Sequence, residues 1–320
     1  MSSAGASPAA RPRVEVVAAV LQQPDGSFLL AQRPEGKVYA GYWEFPGGKV
    51  ESDETPEAAL ARELHEELFI DVRHAYPWLT RDYDYEHAAV RLFFYRVTAW
   101  SGELHGRENQ AFAWQRIDAL TASPLLPANG PILRALALPT FYGVSNASEV
   151  GTHTFLQRLE SALQSGLKLV QLREKDMDGA ALSDLARRTC ALAHTHGAKV
   201  LVNGDASLAS SAGADGVHLT ARELALSASR PDFELVGASC HDEAELARAA
   251  RLGLDFAVLG PVRDTASHPG ARTLGFARFR ELVRNYPLPV FAIGGLGKDD
   301  LDAAWSAGAH GIAAIRGAWT

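Results

Sequence analysis

Residues 47–70 read GGKVESDETPEAALARELHEELFI, and this pattern sets the fold of the first half of the chain. Thr55 is a suitable N-cap, Pro56 takes the first helical position, and the residues that follow are rich in Ala, Leu and Glu. These features predict a helix over 55–68. The two glycines before it favour a loop whose backbone can approach another group closely.

Three carboxylates of the predicted helix share one face because they stand at i, i+3 and i+4: Glu63, Glu66 and Glu67. Like charges this close destabilise a helix unless a cation lies among them, and carboxylate oxygens suit Mg²⁺ or Mn²⁺. Gly47 would let the backbone reach the metal, and Arg62 would brace a carboxylate from behind. Taken alone, three glutamates would favour a solvated acidic helix face.

The segment resembles the Nudix box, in which Gly, five residues, Glu, seven residues and Arg-Glu-aliphatic-any-Glu-Glu follow in fixed order. The matching residues are Gly48, Glu54, Arg62, Glu63, Leu64, Glu66, Glu67 and the terminal aliphatic Ile70. So many specified positions at fixed spacing favour the metal site over the solvated face. Phe69 stands where the box has a glycine that closes the helix. We therefore expect an altered helix end with the metal site retained.

Residues 14–138 also resemble the MutT subgroup of Nudix enzymes, the 8-oxo-dGTP diphosphatases. The matching stretches are AQRP (31–34), WEFPGG (43–48), GRENQ (106–110) and PANGP (127–131). The resemblance implies Mg²⁺-dependent hydrolysis of a nucleoside triphosphate to the monophosphate and pyrophosphate. It implies catalytic roles for Arg62, Glu63, Glu66, Glu67 and Glu108, and metal contacts from Gly47, Glu63, Glu66, Glu67 and Glu108. Either Glu63 or Glu108 would take the proton of the attacking water.

The resemblance further implies that Arg33, Phe45 and Asn129 form a purine pocket. An Asn amide donates and accepts at once, which suits a purine edge. From the residues alone, Phe45 could equally be a core aromatic and Asn129 a turn residue in a loop rich in Pro and Gly. A thiamine-pathway diphosphate is the alternative substrate, because of the second domain described below.

Around the box, the sequence predicts strands at 14–21 and 28–32, joined as a hairpin by the turn at 22–26. Further strands are predicted at 70–83, 88–100 and 111–117. The Nudix resemblance implies an α/β/α sandwich with a mixed sheet over 14–138. Residues 1–13 are small, contain Pro and lack an apolar core, so we expect a disordered lead-in there. Pro139 is the predicted boundary to a second domain over 139–320.

The second half alternates short apolar β-type runs with helical segments, and eight such repeats predict a closed parallel barrel of the TIM type. The runs lie at 141–145, 168–172, 199–203, 216–219, 235–239, 256–260, 289–295 and 311–315. Few residues follow the last run. We therefore expect a truncated last outer helix, and a domain or subunit contact over the wall it leaves.

Residues 140–320 resemble thiamine phosphate synthase and its TenI-like relatives. The matching pieces are QLREKD (171–176), GADGVHL (213–219), GASCH (237–241), GPV (260–262) and FAIGGL (291–296). The resemblance implies a phosphate-ligand site at the loops after the barrel strands. Its residues would be Gln171, Arg173, Lys175, Asn203, Ser239, Thr265, Gly294 and Gly295.

Several positions depart from the synthase pattern. Gly204 replaces the Mg²⁺-binding Asp, with Asp205 shifted by one, and Glu223 stands for the second metal carboxylate. His268 replaces a phosphate-binding Lys, and Arg316 replaces a small polar residue. These losses weaken the charge neutralisation that pyrophosphate release requires. We expect a degenerate synthase or a phosphate-ligand module that binds a thiamine-related phosphate, with residual synthase activity as the alternative.

The composition of the chain limits the classes of ligand and partner that it can bind. The net charge of -7 and the absence of a Lys/Arg-rich run argue against duplex nucleic acid binding, so free nucleotides are the expected ligands. Two cysteines are too few for a disulfide scaffold, and no apolar run approaches the length of a membrane span. We expect a cytoplasmic protein without a membrane partner.

Overall fold

The computed structural model describes residues 12–106, 110–265, 270 and 272–319. The chain divides into two compact units, Met1–Ile132 and Leu133–Thr320. The domain limits at 138 and 139 stay predictions. No helix in the described ranges is long and apolar enough to span a bilayer.

The N-terminal unit contains two three-stranded sheets among its described residues. Its elements are β1 (Arg13–Leu21), β2 (Phe28–Gln32), β3 (Trp43–Glu44), α1 (Pro56–Leu68), β4 (Asp71–Asp84), β5 (Ala89–Ser101) and β6 (Phe112–Gln115), and α2 (Gly130–Leu136) follows. One sheet has the order β1-β5-β4, with β1 parallel and β4 antiparallel to β5. The other has the antiparallel order β3-β2-β6. The mixed sheet is confirmed.

The predicted hairpin of β1 and β2 is wrong, because the two strands belong to different sheets. The turn itself closes: the Gln23 N–H donates to Ser27 O at 2.9 Å, and a single bridge joins Gln22 to Phe28. Beyond that bridge, β1 pairs along its whole length with β5, and β2 pairs with β3 and β6. The last five residues of β1 are buried, as expected of a strand in parallel pairing with both faces covered.

Helix α1 forms where the sequence predicts it. Thr55 is the N-cap, and its side chain accepts from the Ala58 N–H at 3.3 Å. One face is buried against β1, β2 and β5 through Ala59, Leu60, Leu64 and Leu68. Burial of each leucine contributes about 1.5–3 kcal/mol, so this face fixes the rotation of the helix.

The expected alteration of the α1 end does not occur. Phe69 itself adopts the left-handed conformation, with φ 56° and ψ 33°, and its N–H bonds to the carbonyls of His65 and Leu64. Its side chain is exposed, at 52% of its free area. A residue with a Cβ therefore fills the position of a helix-closing glycine, at a cost of roughly 1–2 kcal/mol.

The C-terminal unit is a closed barrel of eight parallel strands, as predicted. The strands are β7 (Phe141–Val144), β8 (Leu169–Leu172), β9 (Lys199–Asn203), β10 (Gly216–Leu219), β11 (Leu235–Cys240), β12 (Phe256–Leu259), β13 (Val290–Ile293) and β14 (Gly311–Ala314). The helices between them are α3 (Ala147–Val150), α4 (Thr152–Gln164), α5 (Gly179–Thr195), α6 (Ala206–Ala212), α7 (Ala221–Leu226), α8 (Glu243–Arg251), α9 (Gly275–Val283) and α10 (Leu301–Ser306). Strand order runs β7 to β14 around the barrel, and β14 pairs with β7 to close it.

Aromatic and aliphatic side chains fill the barrel interior, including Tyr142, Leu169, Leu201, Phe256 and Phe291. A larger core lies between the strands and the helices and includes the two free, buried thiols, Cys190 and Cys240.

The last strand of the barrel is followed by one 3-10 turn, Arg316–Ala318. The Trp319 indole then donates to Val144 O at 2.9 Å and packs edge-on against Phe155. Trp319 therefore covers part of the wall next to the short final turn.

Candidate functional sites

Helix α1 carries its carboxylates toward the Gly47–Gly48 loop. The Gly47 N–H donates to Glu67 Oε2 at 3.3 Å. A Cβ at Gly48 would overlap the Glu63 carboxylate. Two of the three predicted metal carboxylates therefore lie directly against the glycine loop, and Glu63 lies in the space that the missing side chain of Gly48 leaves open.

Arg62 fixes the position of Glu63. Its guanidinium donates to both oxygens of Glu54, at 2.6 and 3.2 Å, and to Glu63 Oε1 at 3.0 Å. Its Nη2 also donates to Lys49 O at 3.0 Å. Glu66 is more exposed, with Oε2 4.0 Å from Arg62 Nη1. Arg62 thus braces two carboxylates from behind, and Glu66 faces solvent.

Glu67 is partly buried. Burial raises the pKa of its carboxyl to about 7, and the nearby charges of Glu63 and Glu44 act in the same direction. The Gly47 N–H and Lys37 oppose the shift. Crowded carboxylates in a partly buried place repel one another, so a bound cation would be stabilised there.

The three predicted nucleotide-binding residues lie around β3, and each has an internal partner. Arg33 Nη1 donates to both oxygens of Glu44, at 2.6 and 2.7 Å, and burial raises the pKa of Glu44 although Arg33 opposes it. Asn129 is buried and its Nδ2 donates to Trp43 O at 3.2 Å.

Phe45 is a core aromatic. It is 4% exposed, and its ring lies 5.9 Å from that of Phe28 and 6.0 Å from that of Phe94. The structure therefore places Arg33, Phe45 and Asn129 near one another and gives each of them a packing or bracing contact.

The barrel has a cavity of about 660 Å³ at the carboxyl ends of its strands. All eight residues predicted to hold a phosphate ligand line it: Gln171, Arg173, Lys175, Asn203, Ser239, Thr265, Gly294 and Gly295. The sequence-based choice therefore selects residues of one cavity, on the face where TIM-type barrels carry their sites.

The cavity floor is a chain of hydrogen bonds. Gln171 Nε2 donates to Tyr142 Oη at 3.2 Å, Tyr142 Oη lies 3.4 Å from His218 Nδ1, and His218 Nε2 lies 3.0 Å from Ser239 Oγ. Burial lowers the pKa of His218 to about 3, and the charge of Arg173 contributes, so its ring is neutral at pH 7. Since Tyr142 accepts from Gln171, its proton points to Nδ1, which leaves Nε2 as the donor to Ser239.

Arg173 and Lys175 follow β8 on a loop held by hydrogen bonds. The buried Glu174 between them accepts from Ser145 Oγ, Ala147 N, Ser148 N and Ser148 Oγ at 2.5–2.7 Å. The Arg173 N–H donates to Ser145 Oγ at 2.8 Å. Burial lowers the pKa of Arg173, although the charge of Glu174 opposes the shift. No described residue forms a hydrogen bond or ion pair with the guanidinium.

The carboxylates after β9 and β10 act as helix caps. Asp205 accepts from the Leu208 N–H at 2.8 Å, and Glu223 accepts from the N–H and the hydroxyl of Thr220, both at 2.8 Å. Neither carboxylate is among the residues that line the cavity.

Two family models match the chain. That of the NUDIX domain covers residues 12–136, and that of thiamine monophosphate synthase covers residues 141–318. The chain belongs to both families.

The Nudix unit is 40% identical over 123 residues to the 8-oxo-dGTP diphosphatase of Haemophilus influenzae. The matched stretch covers 38% of this chain and 90% of that protein. The synthase-like barrel is 37% identical over 163 residues to a thiamine-phosphate synthase of Thermus thermophilus. The matched stretch covers 50% of this chain and 79% of that protein. A MutT Nudix hydrolase from Burkholderia pseudomallei has a solved structure 30% identical to this chain, covering 38% of this chain and 97% of that one, with a TM-score of 0.36.

Nudix hydrolases generally use divalent metal ions, and the loop and helix of this unit fit one. The donors are hard carboxylate oxygens, and Gly48 leaves the space in which Glu63 lies. Within the described residues, no group of three or more His, Cys, Asp or Glu is already arranged around a common point, so a metal would have to draw in the exposed Glu66. Glu108 lies outside the described residues.

The barrel does not fit the Mg²⁺ that the synthase pattern implies. Gly204 has no carboxylate, and both acids nearby are held as helix caps. The barrel cavity instead presents cationic and neutral hydrogen-bond donors.

Two features of the sites were not predicted from the sequence. Glu44 is the partner of Arg33, which only the register of β2 and β3 reveals. Tyr39 packs against Tyr42, Tyr85 and His87, at 5.2, 5.6 and 6.0 Å between ring centroids, and has φ 60°. Tyr83 lies in β4 and Tyr85 just beyond its end, and their spacing of two residues could have indicated an aromatic face.

Proposed function

We propose that the Nudix unit hydrolyses 8-oxo-dGTP and related purine nucleoside triphosphates to the monophosphate and pyrophosphate with Mg²⁺. The observation that carries this proposal is the contact of Glu63 and Glu67 with the Gly47–Gly48 loop. The likeness to the diphosphatase of Haemophilus influenzae supports the substrate. The activity would clear oxidised nucleotides from the pool used for DNA replication and repair.

Glu63, Glu66, Glu67 and the Gly47 carbonyl would hold the Mg²⁺, or Mn²⁺ in its place. When bound, such an ion neutralises phosphate oxygens and lowers the pKa of water. Arg62 keeps Glu63 in place through its 3.0 Å hydrogen bond. Glu63, or alternatively Glu108, takes the proton of the water that attacks phosphorus.

Arg33, Phe45 and Asn129 would form the purine pocket with β3. Arg33 fixes Glu44, and the bond from Asn129 Nδ2 to Trp43 O leaves the Asn129 Oδ1 and its second N–H for a purine edge. Phe45 supports β3 from the core. The pocket is thus built largely by residues that brace one short strand.

We infer that the barrel binds a phosphate-bearing ligand, of thiamine-related chemistry, without acting as a synthase. Arg173 and Lys175 lack described ion-pair partners at the cavity, and the nearby acids are helix caps. A thiamine-pathway diphosphate as substrate of the Nudix unit is the second candidate, favoured by the synthase family of the barrel in the same chain.

Pyrophosphate and phosphate release from 8-oxo-dGTP, dGTP, thiamine diphosphate and hydroxymethylpyrimidine diphosphate tests these proposals. Each substrate is assayed with Mg²⁺ and with EDTA, using the full chain and its Glu67→Gln variant. Glu57→Gln, in the first turn of the same helix, is the matched control. We expect a preference for 8-oxo-dGTP that Glu67→Gln abolishes and Glu57→Gln retains. Turnover confined to the thiamine-type diphosphates would overturn the nucleotide proposal and support the second candidate.

A further inference from the structure

Arg316 lies at the cavity of the barrel, in the turn that follows β14. Its neighbour in space, Glu149, lies in α3, which follows β7. Strands β14 and β7 are paired partners, so the two side chains meet across the point where the barrel closes.

Glu149 holds the Arg316 guanidinium on one side only. Arg316 Nη2 donates to Glu149 Oε1 at 2.8 Å, and Arg316 Nε donates to Glu149 Oε2 at 3.2 Å. Asn146, which is 5% exposed, donates from Nδ2 to the same Oε2 at 3.4 Å and so steadies the carboxylate. Two of the three guanidinium nitrogens are then occupied, and no described residue hydrogen-bonds Nη1.

The turn that carries Arg316 packs on a loop suited to anions. A Cβ at Gly317 would be 3.4 Å from Leu296 O, so the Arg316 turn packs on the segment that follows Gly294 and Gly295. These two glycines have φ 109° and 62°, conformations that let backbone N–H groups approach a ligand.

The charges around the cavity favour an anion. Its charged lining residues among those described are Arg173, Lys175 and Arg316, against one carboxylate, Asp264. Arg173 and Lys175 follow β8, and only β7 separates β8 from β14. The cations therefore occupy an arc of three adjacent strands. Asp264 lies outside that arc, after β12, where its backbone O approaches Gly295.

We propose that Arg316, held in orientation by Glu149, donates from Nη1 to the phosphate of the cavity ligand and so selects phosphate esters over their dephosphorylated forms. The proposal rests on the phosphate-ligand function inferred for the barrel. Arg316 supplies fixed positive charge in a cavity whose described lining residues include no carboxylate pair for a metal ion. A guanidinium clamped on one edge loses little freedom when its other edge binds, which favours selectivity.

Calorimetric titration of the full chain in EDTA tests the proposal, with thiamine monophosphate and thiamine as probes. The ratio of the two affinities measures the contribution of the phosphate. Arg316→Gln should lower this ratio about 10- to 100-fold, since hydrogen bonds to charged groups contribute that much. Arg316→Lys and Glu149→Gln should give intermediate losses, because they keep the charge and lose its orientation. Arg158→Gln, an exposed arginine of α4, is the control and should keep the ratio of the wild type.

The Nudix rate on 8-oxo-dGTP and the thermal midpoint are measured for every variant, and both should stay at their wild-type values. If the wild type shows no preference for the monophosphate, the phosphate-ligand function of the barrel fails and Arg316 has no such role. If the wild type shows the preference and Arg316→Gln retains it, the barrel function stands and the proposal for Arg316 is overturned. A loss of thermal stability in Arg316→Gln at an unchanged ratio would identify the ion pair as a structural closure, which also overturns it.

Discussion

Replacement of Gly48 by Ala puts a methyl group where the Glu63 carboxylate lies. The atoms it meets are the end of a flexible side chain, so Glu63 can rotate away while the backbone stays in place. To reach ordinary van der Waals separation, the carboxylate must move by more than about 1 Å. That movement removes it from the 3.0 Å contact with Arg62 and from its place beside the loop.

The expected effects on stability and on catalysis differ in size. The lost contact between Arg62 and Glu63 costs about 0–1 kcal/mol, and the more restricted unfolded chain of an alanine returns about 0.4–1 kcal/mol. The free energy of unfolding should therefore change by less than about 1 kcal/mol. A ligand misplaced by about 1 Å costs on the order of 100-fold in rate, so kcat/KM should fall by that factor.

Pyrophosphate release from 8-oxo-dGTP over a range of Mg²⁺ concentrations measures the catalytic effect, and thermal unfolding measures the stability. Gly179→Ala is the matched control, because a Cβ there meets nothing within 4 Å. It should keep both the rate and the Mg²⁺ dependence of the wild type. If Gly48→Ala turned over substrate at the wild-type rate with unchanged Mg²⁺ dependence, the position of Glu63 would have no part in metal binding and the assignment of this site would be refuted.

Three further predictions concern stability. Phe69→Gly should raise the free energy of unfolding by about 0.5–1 kcal/mol, seen as a higher urea midpoint, since it removes the left-handed penalty and adds some freedom to the unfolded chain. Arg33→Met should destabilise the Nudix unit by about 1–2 kcal/mol in thermal unfolding, because Glu44 is left unpaired and largely buried; adding Glu44→Gln should recover most of the loss. The pKa of His218 is about 3 in the folded chain and about 6.5 in the unfolded chain, so between these values only the unfolded chain binds a proton there. The free energy of unfolding of the barrel should therefore fall as the pH drops, by about 2 kcal/mol at pH 5. His218→Gln should flatten that pH dependence of the urea midpoint.

Each of these has an outcome that contradicts its reasoning. A lower midpoint in Phe69→Gly would mean that contacts of the ring outweigh the backbone strain. Equal losses in the Arg33→Met single and double variants would mean that the pair is not coupled. An imidazole of His218 that titrates near pH 6.5 by nuclear magnetic resonance would place the ring in contact with water.

Local patterns predicted the parts of the fold that depend on neighbouring residues. The glutamates of α1 lie on one face because a helix fixes their spacing. The eight apolar runs of the second half were sufficient to predict the barrel, since each strand pairs with the next strand in the sequence or closes the ring.

The wrong or missing predictions concern features that depend on residues distant in the sequence. The turn at 22–26 has the residues of a hairpin, yet the ladder of nine pairs between β1 and β5 outweighs a hairpin with β2. Phe69 keeps the left-handed turn because the chain packs closely there: a Cβ at Gly102 would lie 2.7 Å from Phe69 O. The bond between Arg33 and Glu44 depends on the strand register, which composition does not contain.

The four hydrogen bonds that Glu174 accepts have a kinetic consequence for the barrel. They tie the loop after β8 to the start of α3, so the backbone that carries Arg173 and Lys175 is already ordered before a ligand arrives. Association then needs no loop closure, and its rate should rise in proportion to ligand concentration without reaching a plateau. Residence time, rather than the speed of capture, would then distinguish one phosphate ester from another.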